Sequence, residues 1–125
     1  MTMIIRAQGF KLTEALRKHL RQRFEQALAD FDRGLSRIDI YLKDLNGPDK
    51  GGVDKAVQVD ARLPGMNPIA VEATADDLYA AISSAARRTE RAVRKAQDRK
   101  HRVRRTRDRR LRLSHLGMRR APSTS

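Results

Sequence analysis

An α+β domain of order β-α-β-β-β-α, with a four-stranded sheet carrying two helices packed on one face and a basic C-terminal arm, is the fold this sequence predicts. Three observations predict it. Two stretches place apolar residues at intervals of three and four, and four short stretches are β-branched or alternate polar with apolar. The third is the charge, which is confined to one end: residues 1–86 hold 12 Lys/Arg against 12 Asp/Glu, whereas residues 87–125 hold 16 against 3. All of the +13 net charge therefore lies in the last third. The neutral part is large enough for one small core, so a single folded domain is expected and two are not. The boundary is expected at 1–97 for the folded domain and 98–125 for an Arg-rich, flexible extension.

Met3, Ile4, Ile5, Arg6, Ala7 and Gln8 form a short β-branched run stopped by Gly9, the first strand. Thr13 offers an N-cap, and Leu16, Leu20, Phe24, Ala27, Leu28 and Phe31 then recur at helical spacing, with an end expected near Gly34. Over 37–44, Ile38, Ile40 and Leu42 alternate with Asp39, Tyr41 and Lys43, a half-buried strand. Residues 46–52 are turn formers throughout, a reversal too long for a tight hairpin. Val57, Val59, Ala61 and Leu63 alternate with Gln58, Asp60 and Arg62. After a turn over 64–68, Ile69, Val71 and Ala73 alternate with Ala70 and Glu72, which adds two more antiparallel strands.

Thr74 with Asp77 three residues on resembles a capping box, so the second helix is expected to start there, with Asp76 and Asp77 set against its N-terminal dipole. Its buried face reads Leu78, Ile82, Ala85, Thr89, Ala92, Val93 and Ala96. Beyond that, residues 99–112 hold nine Lys/Arg in fourteen, either a solvated helical extension or a segment disordered until a partner neutralises it, and 121–125 reads as a frayed end. With both helices on one sheet face, the other carries Arg6, Asp39, Tyr41, Gln58, Asp60 and Glu72, too mixed in charge to hold a polyanion by itself.

Removing the buried stripe from the second helix leaves Arg87, Arg88, Arg91, Arg94 and Lys95 outside, a cationic ridge with Glu90 and Asp98 nearby. Like charges at such spacing repel by a few tenths of a kcal/mol per pair, about 0.2–0.5, so an external anion is the natural remedy and a merely solvated face the alternative. The first helix repeats the theme with Arg17, Lys18 and Arg21, and the arm adds Arg99, Lys100 and Arg102. Fourteen of the sixteen basic residues after 86 are Arg, whose planar fork suits phosphate and unpaired bases and so favours RNA.

Other function classes lack a foothold. Cysteine is absent, which excludes a disulfide framework and fits a reducing cytoplasm, and no window approaches eighteen apolar residues. His19, His101 and His115 have no ligand spacing. Residues 47–52 lack the Gly-Lys-Ser/Thr ending of a phosphate loop, and no Ser stands in a nucleophile motif. The expectation is a non-enzymatic, cytoplasmic protein, monomeric when free, without cofactor, metal, small-molecule substrate or membrane partner.

Two segments carry a resemblance: Ile5-Arg6-Ala7-Gln8-Gly9-Phe10-Lys11-Leu12-Thr13-Glu14-Ala15-Leu16-Arg17, and Asp76-Asp77-Leu78-Tyr79-Ala80-Ala81-Ile82. Together with Leu45-Asn46-Gly47-Pro48 and Gly51-Gly52-Val53-Asp54-Lys55, these resemble the ribosome hibernation-promoting factor and ribosome-associated inhibitor family, also called the sigma-54 modulation protein family, in its short form. The match covers roughly residues 3–97. The resemblance implies a β-α-β-β-β-α domain that binds the small ribosomal subunit and its rRNA. Such a domain occupies the mRNA and tRNA path and inhibits translation in stress by occlusion, not catalysis. It maps RNA contact onto Arg87, Arg88, Arg91, Arg94 and Lys95, and onto Arg17, Lys18 and Arg21. Ser83 and Ser84 depart from the family pattern, as does the longer basic arm over 99–120. No second folded domain like that of the long members is expected within these residues. A general nucleic-acid-binding, chromosome-associated protein is the alternative that the arm alone supports, and nothing in the residues specifies a transcription-factor interface.

Overall fold

Alternation and helical spacing sort the chain into four strands and two helices in the computed structural model, which describes residues 2–9, 11–45 and 54–115. The strands are β1 (Thr2–Gln8), β2 (Arg37–Asp44), β3 (Lys55–Arg62) and β4 (Ile69–Ala75), and the helices α1 (Glu14–Ala27) and α2 (Leu78–His115). The reversal expected over 46–52 and the frayed end expected at 121–125 lie outside the described residues. The chain divides into two compact units, Met1–Arg94 and Lys95–Ser125. The sheet, α1 and the start of α2 belong to the first.

The sheet order is β1-β2-β3-β4. β1 and β2 pair in parallel, from Thr2 opposite Arg37 to Gln8 opposite Lys43, while β2–β3 and β3–β4 are antiparallel. A parallel pair cannot be joined by a tight turn, and α1 supplies the crossover. Register then puts Ile38, Ile40 and Leu42 opposite Ala61, Val59 and Val57, so one face is apolar across the central strands. Leu16, Leu20 and Phe24 of α1 and Ile82, Ala85, Thr89 and Val93 of α2 are buried with that face, and both helices share one core. Thr89 satisfies its hydroxyl by donating to the Ala85 carbonyl at 2.7 Å.

Three local features differ from the sequence expectations. The first helix does not run to Gly34 as a single α-helix. It ends at Ala27, and a 3₁₀ segment, Ala29–Gly34, continues it. Leu28 and Phe31 are both buried, and their separation of three suits the tighter coil, in which residues three apart eclipse. Next, Thr74 is not the cap of the second helix, because it is paired with Ala56 inside β4. Asp77 takes that role: the Ala80 amide donates to its carboxylate at 3.3 Å and the Ala81 amide to its carbonyl at 3.0 Å. Finally, β4 runs to Ala75, two residues past the stretch read as strand.

Two glycines are required by geometry. Gly9 has φ of 91°, and a Cβ there would stand 3.0 Å from that of Asp44. In the β3–β4 turn Pro64 and Gly65 fill the central positions, Gly65 at φ 75°, with the Met66 amide donating to the Leu63 carbonyl at 3.2 Å, the chemistry of a type II turn.

At the root of the β2–β3 connection, Lys55 Nζ lies 3.2 Å from Asp44 and 3.1 Å from Asp54, two carboxylates that are almost wholly buried. The Leu45 amide donates to the Asp54 carbonyl at 2.7 Å and closes the same corner. The Lys55 ammonium has its pKa raised. The hydrogen bond to Asp54 is the largest cause; loss of hydration opposes it, and the Asp44 hydrogen bond and the two carboxylate charges add to it.

Replacement of the fully buried Leu20 by Ala is expected to cost about 2–5 kcal/mol, read as a lower urea midpoint at unchanged slope. Because the folded-state pKa of Lys55 is the higher one, its stabilisation is complete below the unfolded lysine value of about 10.4 and is lost as pH rises through the folded value. The melting-temperature gap between the parent and Lys55→Met should therefore narrow from about pH 8 to about pH 11. A gap that stays constant would remove this account of the corner.

Candidate nucleic-acid interface

The first helix is set by its cap. Thr13 Oγ1 accepts from the Leu16 amide at 3.1 Å, which starts the helix in the phase that turns Leu16, Leu20 and Phe24 inward. Arg17, Lys18 and Arg21 are left exposed, and Arg23 is half-buried beside the stripe. In α2 the inward positions are mostly small: Ala81, Ala85 and Ala86 are buried together with Ile82, Thr89 and Val93. Ala81 and Ala86 widen the stripe that the spacing alone had drawn. Directly opposite this stripe at 3.6 residues per turn stand Arg87 and Arg91, with Arg88 and Arg94 on its two shoulders.

Two side-chain contacts join α2 to α1 and to the 3₁₀ segment that continues it. The His19 and Tyr79 rings meet edge to face at 4.7 Å between centroids, with 69° between their planes. Farther along, the Arg94 guanidinium lies over the Phe31 ring at 5.2 Å. His19 and Tyr79 sit near the helix starts and Phe31 and Arg94 farther on, so the helices run the same way. The first unit therefore carries Arg17, Lys18 and Arg21 on the same side of the sheet as Arg87, Arg88, Arg91 and Arg94.

The arginines of α2 are not equivalent. Arg88 Nη1 donates to the Glu72 carbonyl of β4 at 2.9 Å, and Arg94 Nη2 meets Glu90 Oε1 at 3.0 Å while covering Phe31. Arg87 and Arg91 are exposed and make no ion pair or hydrogen bond to another described residue. The Arg94–Glu90 pair was legible as a spacing of four. The Arg88–Glu72 bond was not, since it needs β4 beside α2. Lys95, Arg99, Lys100 and Arg102 are exposed within the second unit, on the continuation of α2.

The open sheet face is of another kind. Ile4, Arg6, Arg37, Asp39, Tyr41, Gln58 and Asp60 line a shallow hollow there. Arg37 Nε pairs with Asp39 at 3.0 Å, and the Tyr41 hydroxyl donates to Gln8. Asp39 stands opposite Asp60 in the register with Arg6 and Arg37 beside them, so the face is mixed in charge where the helical side is cationic. Among the described residues no group of three His, Cys, Asp or Glu is placed to hold a metal, and no helix is long and apolar enough to cross a membrane.

A family model described as "Sigma 54 modulation protein / S30EA ribosomal protein" matches residues 3–101. No curated protein sequence matches. Among solved structures, a ribosomal subunit interface protein from Coxiella burnetii is similar with a TM-score of 0.66 and 23% identity, covering 78% of this chain and 99% of that one. The N-terminal domain of Protein Y from Thermus thermophilus is similar with a TM-score of 0.63, also at 23% identity, covering 76% of this chain and 98% of that one. At this identity the two structures report a shared fold.

Because Arg87 and Arg91 bond to no other described residue, Arg87→Gln and Arg91→Gln should shift stability by no more than about 0.5 kcal/mol. Arg88→Ala and Arg94→Ala should each cost about 0.5–1.5 kcal/mol through the lost carbonyl bond and the lost ring contact. Thermal melts of the four variants check this split, and four equal shifts would contradict it.

Proposed function

Since the chain belongs to the family of sigma 54 modulation protein and S30EA ribosomal protein, we propose that it is a hibernation factor. In this reading it binds the small ribosomal subunit through rRNA and silences translation by filling the mRNA and tRNA path. The observation that carries the proposal is the pair Arg87 and Arg91, exposed, opposite the buried stripe and without an ion-pair or hydrogen-bond partner among the described residues. Two guanidiniums left unneutralised on a rigid helix are pre-organised donors for phosphate, each able to make a bidentate contact without first breaking a bond in the protein. Arg88 and Arg94 flank them with their own anchors, so the ridge keeps its shape while its centre stays available. Arg17, Lys18 and Arg21 on α1 extend the positive side, and Lys95, Arg99, Lys100 and Arg102 add further phosphate contacts.

Inhibition then needs no chemistry. A folded domain held in the channel by many phosphate contacts excludes tRNA and mRNA by volume, and its grip weakens with salt as counterions return to the RNA. The protein acts in the cytoplasm as a monomer until it meets the subunit. A general nucleic-acid-coating role would draw on the same charge without any preference for ribosomes.

Sedimentation through sucrose gradients separates the two readings. The protein should travel with small subunits and whole ribosomes at salt concentrations that already dissolve its complex with random duplex DNA. Arg87→Glu with Arg91→Glu should reduce co-sedimentation more than removal of residues 113–125. Equal salt sensitivity on ribosomes and DNA would replace the hibernation role by the coating role, and equal losses from the two changes would show that the ridge is not the main contact.

A further inference from the structure

The segment over residues 98–113 is helical, yet no burial among the described residues accounts for its being so. Every one of those residues is exposed, so no apolar face is buried to stabilise the helix, and burial is the usual source of helix stability in a protein. Its own side chains oppose it. Arg99, Arg102 and Arg105 follow one another at a spacing of three, and Lys100–Arg104 and Arg105–Arg109 are like-charged pairs at four, against Asp98 and Asp108 as the acidic residues of the stretch. The Thr106 hydroxyl donates back to the Arg102 carbonyl at 3.0 Å, a bond that competes with the backbone ladder.

The distribution of charge around the helix is informative. Arg102, Arg110, Arg107, Arg104 and Arg105 stand in that order around the circumference, roughly 60–100° apart at 3.6 residues per turn. The exposed apolar residues do not form a stripe: Val103 is 58% exposed, Leu111 55% and Leu113 41%, and they face three separate directions. A helix that lies on a lipid surface or against another helix needs one apolar face and one polar face. This one is cationic on every side, which suits surroundings that present phosphates on several sides at once.

We infer that residues 98–113 form a second RNA-binding element, a helix that is stable only inside a phosphate-lined groove of folded RNA and that orders there as it binds. The inference rests on the proposed RNA partner and assigns the arm a shape requirement that a loose counterion tail would not have. Arginine-rich segments gain helical order when their charges are neutralised, and folded RNA offers deep grooves walled by phosphate where a duplex is widened by a bulge.

The substitution Val103→Pro tests this in the full chain, because it keeps every charge and breaks the helix at a position whose side chain is 58% exposed and outside the core. With a bulged RNA hairpin as the probe, Val103→Pro should bind at least about tenfold more weakly than the parent, while Val103→Ala binds like the parent. The thermal melt of the sheet should be the same in all three. Amide hydrogen exchange over 98–113 should be fast in the free protein and slow once the hairpin is added. Binding of Val103→Pro within about twofold of the parent would overturn the proposal, as would equal weakening on duplex DNA or slow exchange in the free protein. Loss of ribosome co-sedimentation with a retained, Val103-dependent hairpin complex would remove the hibernation reading and leave the arm's; the opposite pattern would remove the arm's alone.

Discussion

The parallel pairing of β1 with β2 is the constraint on which the rest of this domain depends. Antiparallel neighbours need only a turn, but a parallel neighbour demands that the chain cross back over the sheet, and here α1 makes that crossing. Once α1 covers part of one face, the remaining apolar surface of β2, β3 and β4 must be covered from the same side, and α2 does so directly after β4. The helices then run the same way and turn their outer sides to solvent together. The cationic character of that side follows from a decision made at the other end of the sheet.

Electrostatics divides the domain by face. The open sheet face balances its own charges, with Arg37 on Asp39 and acids set opposite each other in Asp39 and Asp60. The helical side does not balance: Glu90 answers Arg94 and the Glu72 carbonyl answers Arg88, while Arg87 and Arg91 stay open. Four arginines within eight residues would be unfavourable if all were equally unpaired. Anchoring two on the shoulders spreads the charge sideways and leaves the centre free without collapsing the ridge.

Much of this was legible from the sequence, and the parts that were not share one physical cause. The alternation of Ile38, Ile40 and Leu42 and the spacing of Leu16, Leu20 and Phe24 are local patterns, so strands and helices could be read directly. The exposed ridge followed by subtraction from the stripe. Thr74 and Asp77 form a capping pattern by type, but pairing with β3 extends β4 through Thr74, and only tertiary structure reveals that. Lys55, Asp44 and Asp54 are likewise unremarkable along the chain, since what matters is that β2 ends where β3 begins. Arg88 reads as one more ridge charge until β4 is placed beside it. In each case the sequence carries the residue and the register carries its role.

The corner built by Asp44, Lys55 and Asp54 has a consequence for how such a domain can change over evolutionary time. It seals the β2–β3 pair with ion pairs and a short backbone bond before the intervening residues begin. Lengthening that connection would then raise only its closure entropy, which grows slowly with length, without disturbing register or core. The corner acts as a firebreak that insulates the register and core of the sheet from changes in the length of the connection beyond it.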